Sequence, residues 1–225
     1  MNYRDAVNTA LAEIGYQGTS TTCKYSELLD KYRYYNYPKN GSASWCKIFV
    51  DYCTFVNIGN DADKARAIMC EPNIDNCGAG CTQAVQYFKS KGRWITKQSD
   101  ATTGDEIFFK KSNGAIYHTG IVVDWDNKGF YVVEGNTNGN KVAKKFYAYG
   151  DSKIAGFGRP DWYKFDTASK PSANPDELYI KLAKECINGK YGNGLDRKHK
   201  INSLGYGNIY TKVQNYVNLI LRGLI

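Results

Sequence analysis

His118-Thr119-Gly120-Ile121-Val122-Val123-Asp124-Trp125, Asp126-Asn127-Lys128-Gly129 and Phe130-Tyr131-Val132-Val133-Glu134 follow one another without a break. The outer stretches are rich in β-branched and aromatic residues, and the one between them has Asp at the first and Gly at the last position of a type I turn. That pattern predicts an antiparallel hairpin. Glu106-Ile107-Phe108-Phe109 reads as a further strand ahead of it. Upstream the periodicity is helical. Ala6, Val7, Ala10, Leu11 and Ile14 precede Gly15, and Cys46, Phe49, Val50, Cys53 and Val56 lie between Ser44, a suitable N-cap, and Gly59. Ala84, Val85 and Phe88 mark a third helix from Cys81 to Ser90. Helices followed by an antiparallel sheet make an α+β arrangement.

Residues 166–176 hold Pro171 and Pro175 among small polar side chains and read as an exposed tether. We therefore expect a first domain over 1–165, a linker over 166–176 and a small domain over 177–225. The last piece carries three helical patterns: Leu178, Leu182 and Cys186; a short one from Asp196 to Leu204; and Val213, Val217, Ile220 and Leu221. A three-helix bundle of that size is near the lower limit for an independent core.

The 225 residues include 30 Lys plus Arg against 22 Asp plus Glu, a net charge of +8 shared between both pieces. The 42% hydrophobic fraction suffices for a packed core. No apolar run approaches the roughly 18 residues of a membrane span, so membrane insertion is not expected. Met1 to Val7 lacks the basic and apolar segments of a secretory leader, which predicts synthesis in the cytosol. Seven cysteines, an odd number in a chain of this size, fit a reducing site of synthesis.

With only two histidines, His118 and His199, any imidazole chemistry has two candidates. His199, among Arg197, Lys198 and Lys200, reads as a solvated surface residue. His118 opens a strand, where its ring can reach a helix start. Cys46 lies at such a start, where unpaired N–H groups and the helix dipole favour thiolate; the alternative is a buried structural thiol, as Cys53 reads. A nucleophile and base in this order are the elements of thiol catalysis. Pairing Asp126 with Phe130 across the turn puts His118, Glu134 and Asn136 on one face, with His118 diagonal to Asn136 and Glu134 two pairs further off. Contact with Glu134 then needs a slip or bulge, so parity supports the face and leaves the third residue open. Asn40 is a weak candidate oxyanion donor against its reading as a turn residue in Pro38-Lys39-Asn40-Gly41.

Ser44 to Cys53, Gly104 to Phe109, His118 to Val123, Glu134-Gly135-Asn136-Thr137 and Gly156-Phe157-Gly158-Arg159-Pro160 together resemble the CHAP domain, the cysteine- and histidine-dependent amidohydrolase/peptidase family. The resemblance implies a papain-like core that cuts peptidoglycan by acyl transfer. It implies Cys46 as nucleophile, His118 as base and acid, Glu134 orienting His118, and Asn136 as a further polar member. Cys77-Gly78-Ala79-Gly80-Cys81-Thr82 also recurs in phage members of that family. Lys31 to Tyr37 is basic and aromatic, without the carboxylates of a calcium loop, and suits packing or a substrate groove. Cys70, Cys77 and Cys81 have no evident fourth ligand for zinc. No metal and no cofactor are expected.

Residues 182–218 resemble a CW_7 repeat, the three-helix wall-binding module of phage lysins, through Ile187 to Gly194, Arg197-Lys198, Leu204-Gly205-Tyr206 and Val213 to Asn218. The resemblance implies a wall-contacting set of Tyr191, Gly192, Asn193, Gly194, Arg197 and Gln214, with Arg197 suited to a muropeptide carboxylate. One copy implies weak binding unless the chain self-associates as a homo-oligomer. The expected partner is Gram-positive peptidoglycan. Nucleic acid is not expected, because no helix interleaves Lys and Arg along one stripe. The two resemblances imply an endolysin, an amidase or endopeptidase held in the host cytoplasm until holin-mediated release to the wall. The alternatives are a wall-remodelling hydrolase of a mobile element and an inactive wall-binding protein.

Overall fold

The computed structural model describes residues 3–162, 164–165, 175–204 and 209–223. Most of the expected linker, residues 166–174, and Gly205-Tyr206 of the tail pattern lie outside the described residues. The chain opens with helices α1 (Tyr3–Ala12), α2 (Lys24–Lys31), α3 (Cys46–Phe55), α4 (Ala62–Ile68) and α5 (Cys81–Ser90). Strands follow: β1 (Trp94–Ile95), β2 (Glu106–Lys110), β3 (Ile116–Trp125), β4 (Gly129–Thr137), β5 (Lys141–Ala148) and β6 (Ile154–Gly158). They form one antiparallel sheet in the order β1-β6-β2-β3-β4-β5. The tail adds α6 (Pro175–Ile187), α7 (Gly194–Asn202) and α8 (Tyr210–Leu221). The architecture is α+β. The tail's first helix begins at Pro175, inside the expected linker, because proline suits the first helical position, where an N–H lacks a partner anyway.

Helix α3 is more central than its single apolar stripe implies. Ile48, Phe49, Val50, Cys53 and Phe55 are buried, and so are Lys47 and Asp51 on the intervening faces. It is enclosed by α1, α2, α4 and the β3–β4 face of the sheet. Each large apolar side chain so buried contributes roughly 1.5–3 kcal/mol of transfer free energy, and the charged ones must be paired within the core.

The sheet is covered on both faces. Phe108, Ile121, Val123 and Val133 join the helical core, whereas Ile107, Phe109, Val122, Phe130, Val132 and Phe157 form a second cluster. This two-sided burial explains why Glu106 to Phe109 shows no clean polar alternation. The tail has its own core of Leu182, Ala183, Cys186, Tyr191, Ile201, Ile209, Val213 and Val217.

The β3–β4 hairpin differs from the expected register. Asp126 N–H donates to the Gly129 carbonyl at 3.0 Å, so the turn closes one residue earlier than an Asp126–Phe130 pair. Trp125 then faces Phe130 and Asp124 faces Tyr131. Taken alone, this odd register would separate His118 from the even-numbered residues of β4. An irregularity between Val122 and Asp124 restores the even register, with Val122 opposite Val132 and Ile121 opposite Val133.

Candidate active site

Cys46 is the first residue of α3, with Trp45 at the N-cap in place of the expected Ser44. Trp45 supplies no side-chain cap; it is buried, and its Nε1 donates to the Thr19 carbonyl at 2.6 Å. The unpartnered N–H groups of the first turn are thus left to the Cys46 sulfur. On the sheet, His118 Nε2 lies 2.9 Å from Glu134 Oε2. Cys46 and His118 are near enough to perturb each other's ionisation. Thiol, imidazole and carboxylate are thus gathered in that order, with the imidazole bonded to the carboxylate.

Two glycines make the approach possible. A Cβ on Gly120 would lie 2.8 Å from Glu134 Cγ and 2.7 Å from Val132 Cγ1. The Glu134 side chain thus lies over Gly120 and reaches its diagonal neighbour His118. A Cβ on Gly135 would lie 2.5 Å from Phe49 Cβ, so its absence lets β4 press against α3 near Trp45.

Electrostatics follow from these contacts. The largest effect on Cys46 is its hydrogen bond with Cys81. Burial opposes it, but the bond to His118, the imidazolium charge and the Lys47 backbone N–H carry the thiol well below its ordinary value. Burial disfavours charge on His118, yet the bonds to Cys46 and Glu134 outweigh it and raise the imidazole to about 9. Burial likewise opposes ionisation of Glu134, and His118, Tyr147 and Lys145 overcome it to hold the carboxyl below its ordinary value. Tyr147 donates to Glu134 Oε1, and Lys145 Nζ stands 3.1 Å from Oε2. These shifts favour a thiolate beside an imidazolium, with the carboxylate bonded to the ring.

Cys81 was not among the expected site residues. It is the first residue of α5, and its sulfur lies 3.5 Å from that of Cys46. Two helix N-termini thus converge on one pair of sulfurs. Because His118 stands beside Cys46, the charge resides there, and the hydrogen bond to that thiolate together with burial raises Cys81 well above its ordinary value. Both sulfurs open into a cleft of about 380 Å³ that Tyr37, Lys39, Gln83 and Tyr117 also line. Tyr37 and Tyr117 are exposed at its rim, whereas Tyr34 and Tyr35 of the same aromatic run pack inside.

Beneath Cys46, Lys47 is fully buried among three carboxylates: it pairs with Asp51, and its Nζ lies 2.7 Å from Glu71 and 3.7 Å from Glu106. Tyr35 donates to Asp51 at 2.6 Å, Tyr34 to Glu71 at 2.8 Å and Thr119 to Glu106 at 2.8 Å. One ammonium cannot neutralise three buried carboxylates. Burial, against the lowering pull of Lys47, pushes Glu106 up to about 7.

Several expected residues do other work. Asn136 adopts a left-handed φ of 53°, and its Nδ2 donates to the Ser20 carbonyl at 3.0 Å, which ties a loop to β4 instead of contacting His118. Asn40 Oδ1 accepts from Ser26 Oγ at 2.7 Å and from Cys23 N–H, so the residue braces the start of α2, in keeping with its reading as a turn residue. His199 corrects the surface reading. It is 2% exposed, stacks on Trp125 with ring centroids 3.8 Å apart, and its Nδ1 lies 2.8 Å from the Ala101 carbonyl. In the tail, Arg197 bonds to the Gly192 carbonyl at 2.8 Å, Asn193 Oδ1 at 2.7 Å and Gln214 Oε1 at 3.3 Å. Its guanidinium thus knits the turn before α7 to α8. Tyr191, expected in the same set, is 7% exposed and bonds to Glu185. Gly194 is the first residue of α7.

No curated protein matches the chain. A solved structure described as the crystal structure of Ly7917 is similar over 71% of this chain and 62% of that one, at 14% identity and a TM-score of 0.45. The chain thus spans less than two thirds of that relative's length. Residues 181–221 match the CW_7 repeat, which fits a cell-wall-binding repeat, so this part of the chain points to association with the cell wall.

Proposed function

We propose that the protein is a peptidoglycan hydrolase of the CHAP type, a phage lysin that cleaves an amide bond in the peptide of a Gram-positive wall. The observation that carries this reading is the hydrogen-bonded His118–Glu134 pair beside Cys46, which lines a cleft and heads a helix, in a chain whose tail matches a wall-associated repeat. Cys46 thiolate attacks the amide carbonyl, and the oxyanion meets N–H groups at the start of α3. His118 gives its proton to the leaving amine, which breaks the C–N bond and leaves an acyl-thioester. Water, deprotonated by His118, then releases the acid and restores the thiolate. Glu134 keeps the ring aimed and stabilises its charge, with Tyr147 and Lys145 holding the carboxylate. In the repeat, Arg197 supports the Gly192–Gly194 turn, and that turn with Gln214 offers the wall-contacting face.

Zymography on purified sacculi tests the reading. The wild-type chain is expected to clear them, and Cys46→Ala to lower the rate by about 10⁴-fold or more while still sedimenting with the wall. Clearing that survives the substitution overturns the mechanism. Sedimentation of the wild type without clearing identifies a wall-binding protein lacking hydrolytic activity. Mass spectrometry of the released muropeptides assigns the bond.

A further inference from the structure

The Cys46–Cys81 contact brings together two free thiols that are 35 positions apart in sequence, each heading its own helix. Among the described residues no other two sulfurs are in such contact. A covalent bond needs the sulfurs to close from 3.5 Å to about 2.05 Å. Both residues line the cleft and are slightly exposed, Cys46 at 6% and Cys81 at 8%. Cys23, Cys53 and Cys77 are buried away from that cleft, and burial makes their thiols weaker acids than ordinary ones.

We propose that Cys46 and Cys81 form a reversible oxidation site, in which Cys81 is the resolving thiol that captures an oxidised Cys46 as a Cys46–Cys81 disulfide. The oxidant is a hydroperoxide. Cys46 thiolate attacks its O–O bond, an S–O bond forms, and the distal oxygen leaves as hydroxide or alkoxide. The Cys81 thiol then condenses with the Cys46 sulfenic acid: the S–S bond forms, the S–O bond breaks, and water leaves with the Cys81 proton. Two electrons have passed from the sulfur pair to the peroxide. A dithiol reverses the step by exchange, becoming a cyclic disulfide while both cysteines regain protons. The bond occupies the sulfur that faces His118, so the oxidised chain holds its nucleophile inert and recoverable.

The test is stoichiometric hydrogen peroxide on the reduced full chain, read by intact mass and peptide mapping. The expected wild-type product has lost two hydrogens, yields one cross-linked peptide joining residues 46 and 81, and returns to the starting mass with dithiothreitol. Cys81→Ser is expected to give no cross-link and to hold one oxygen on Cys46, as a sulfenic acid that dimedone traps and that a second equivalent of peroxide carries to a sulfinate resistant to dithiothreitol. A wild-type product that gains oxygen without a cross-link, or a cross-link between other cysteines, overturns the proposal. Because the readout is thiol chemistry, it stands or falls separately from wall hydrolysis.

Discussion

Three neighbours act on the sulfur at position 46 and favour its ionisation: Cys81, His118 and the Lys47 backbone N–H in the first turn of α3. For the proposed hydrolysis, the active form requires Cys46 ionised and His118 protonated. Since the imidazole is raised to about 9, kcat/KM is expected to hold level through neutral pH and to fall above about 9, as His118 loses the proton needed by the leaving amine. Glu134→Gln removes a charge that raises the imidazole, so the alkaline limb should move to lower pH, and kcat should drop by roughly 10²–10⁴-fold. A pH–rate profile of both proteins on purified wall measures this; an unmoved limb in the variant would show that Glu134 does not govern His118. Lys47 illustrates the same economy of position. It is the residue after the nucleophile, and its ammonium is what permits Asp51, Glu71 and Glu106 to be buried beneath the site.

Among elements, the β3–β4 hairpin and α3 decide which side chains meet. The hairpin closes with a tighter turn, and the irregularity near Val123 moves the register one residue further the same way, so the even-numbered residues share a face again and Glu134 comes diagonal to His118. Val123 itself is 7% exposed and packs in the helical core, which compensates for the interrupted ladder. Gly120 then gives the Glu134 side chain its path. Gly120→Ala is expected to force Glu134 Cγ and the backbone of Val133 apart, destabilising the fold by roughly 1–3 kcal/mol and lowering wall clearing beyond that loss. Denaturant melts alongside turnover under native conditions separate the two effects; a stable variant with full activity would refute this account of the approach.

Across the whole molecule, separate cores under the sheet and within the tail are joined where α7 meets the loop after β1 and the end of β3. His199 sits in this contact with Trp125 on its ring, the Ala101 carbonyl on Nδ1, and Lys198, Asp100 and Arg159 as the nearby charges. Burial, the largest influence, holds its pKa below the ordinary value of about 6.5. A depressed imidazole prefers to be neutral when docked, so its contribution is complete above about 6.5 and is lost as pH falls through the depressed value. Small-angle scattering of the full chain should therefore show the tail releasing as pH drops below about 6.5, with Trp125→Ala released already at neutral pH. A radius of gyration independent of pH in the wild type would contradict this.

The pattern of residues by itself determined that helices precede an antiparallel sheet, that a small helical piece follows it, and that Cys46 stands at a helix start, because these rest on local periodicity and turn chemistry; His118 lies on the expected strand, which begins two residues earlier, at Ile116. Helices α2 and α4, eight and seven residues long, are too short for their periodicity to stand out; β6 is buried on both faces and shows no alternation, and β5 is largely exposed and rich in lysine. The tertiary structure decided the rest. Glu134, and not Asn136, meets the imidazole because a tight turn and an irregularity together move the register by two residues. Cys81 joins Cys46 because packing brings two distant helix starts to one cleft. His199 is buried because the tail folds back on Trp125. Each of these is a contact between residues far apart in the chain, whose energy arises only when burial has removed the competing water.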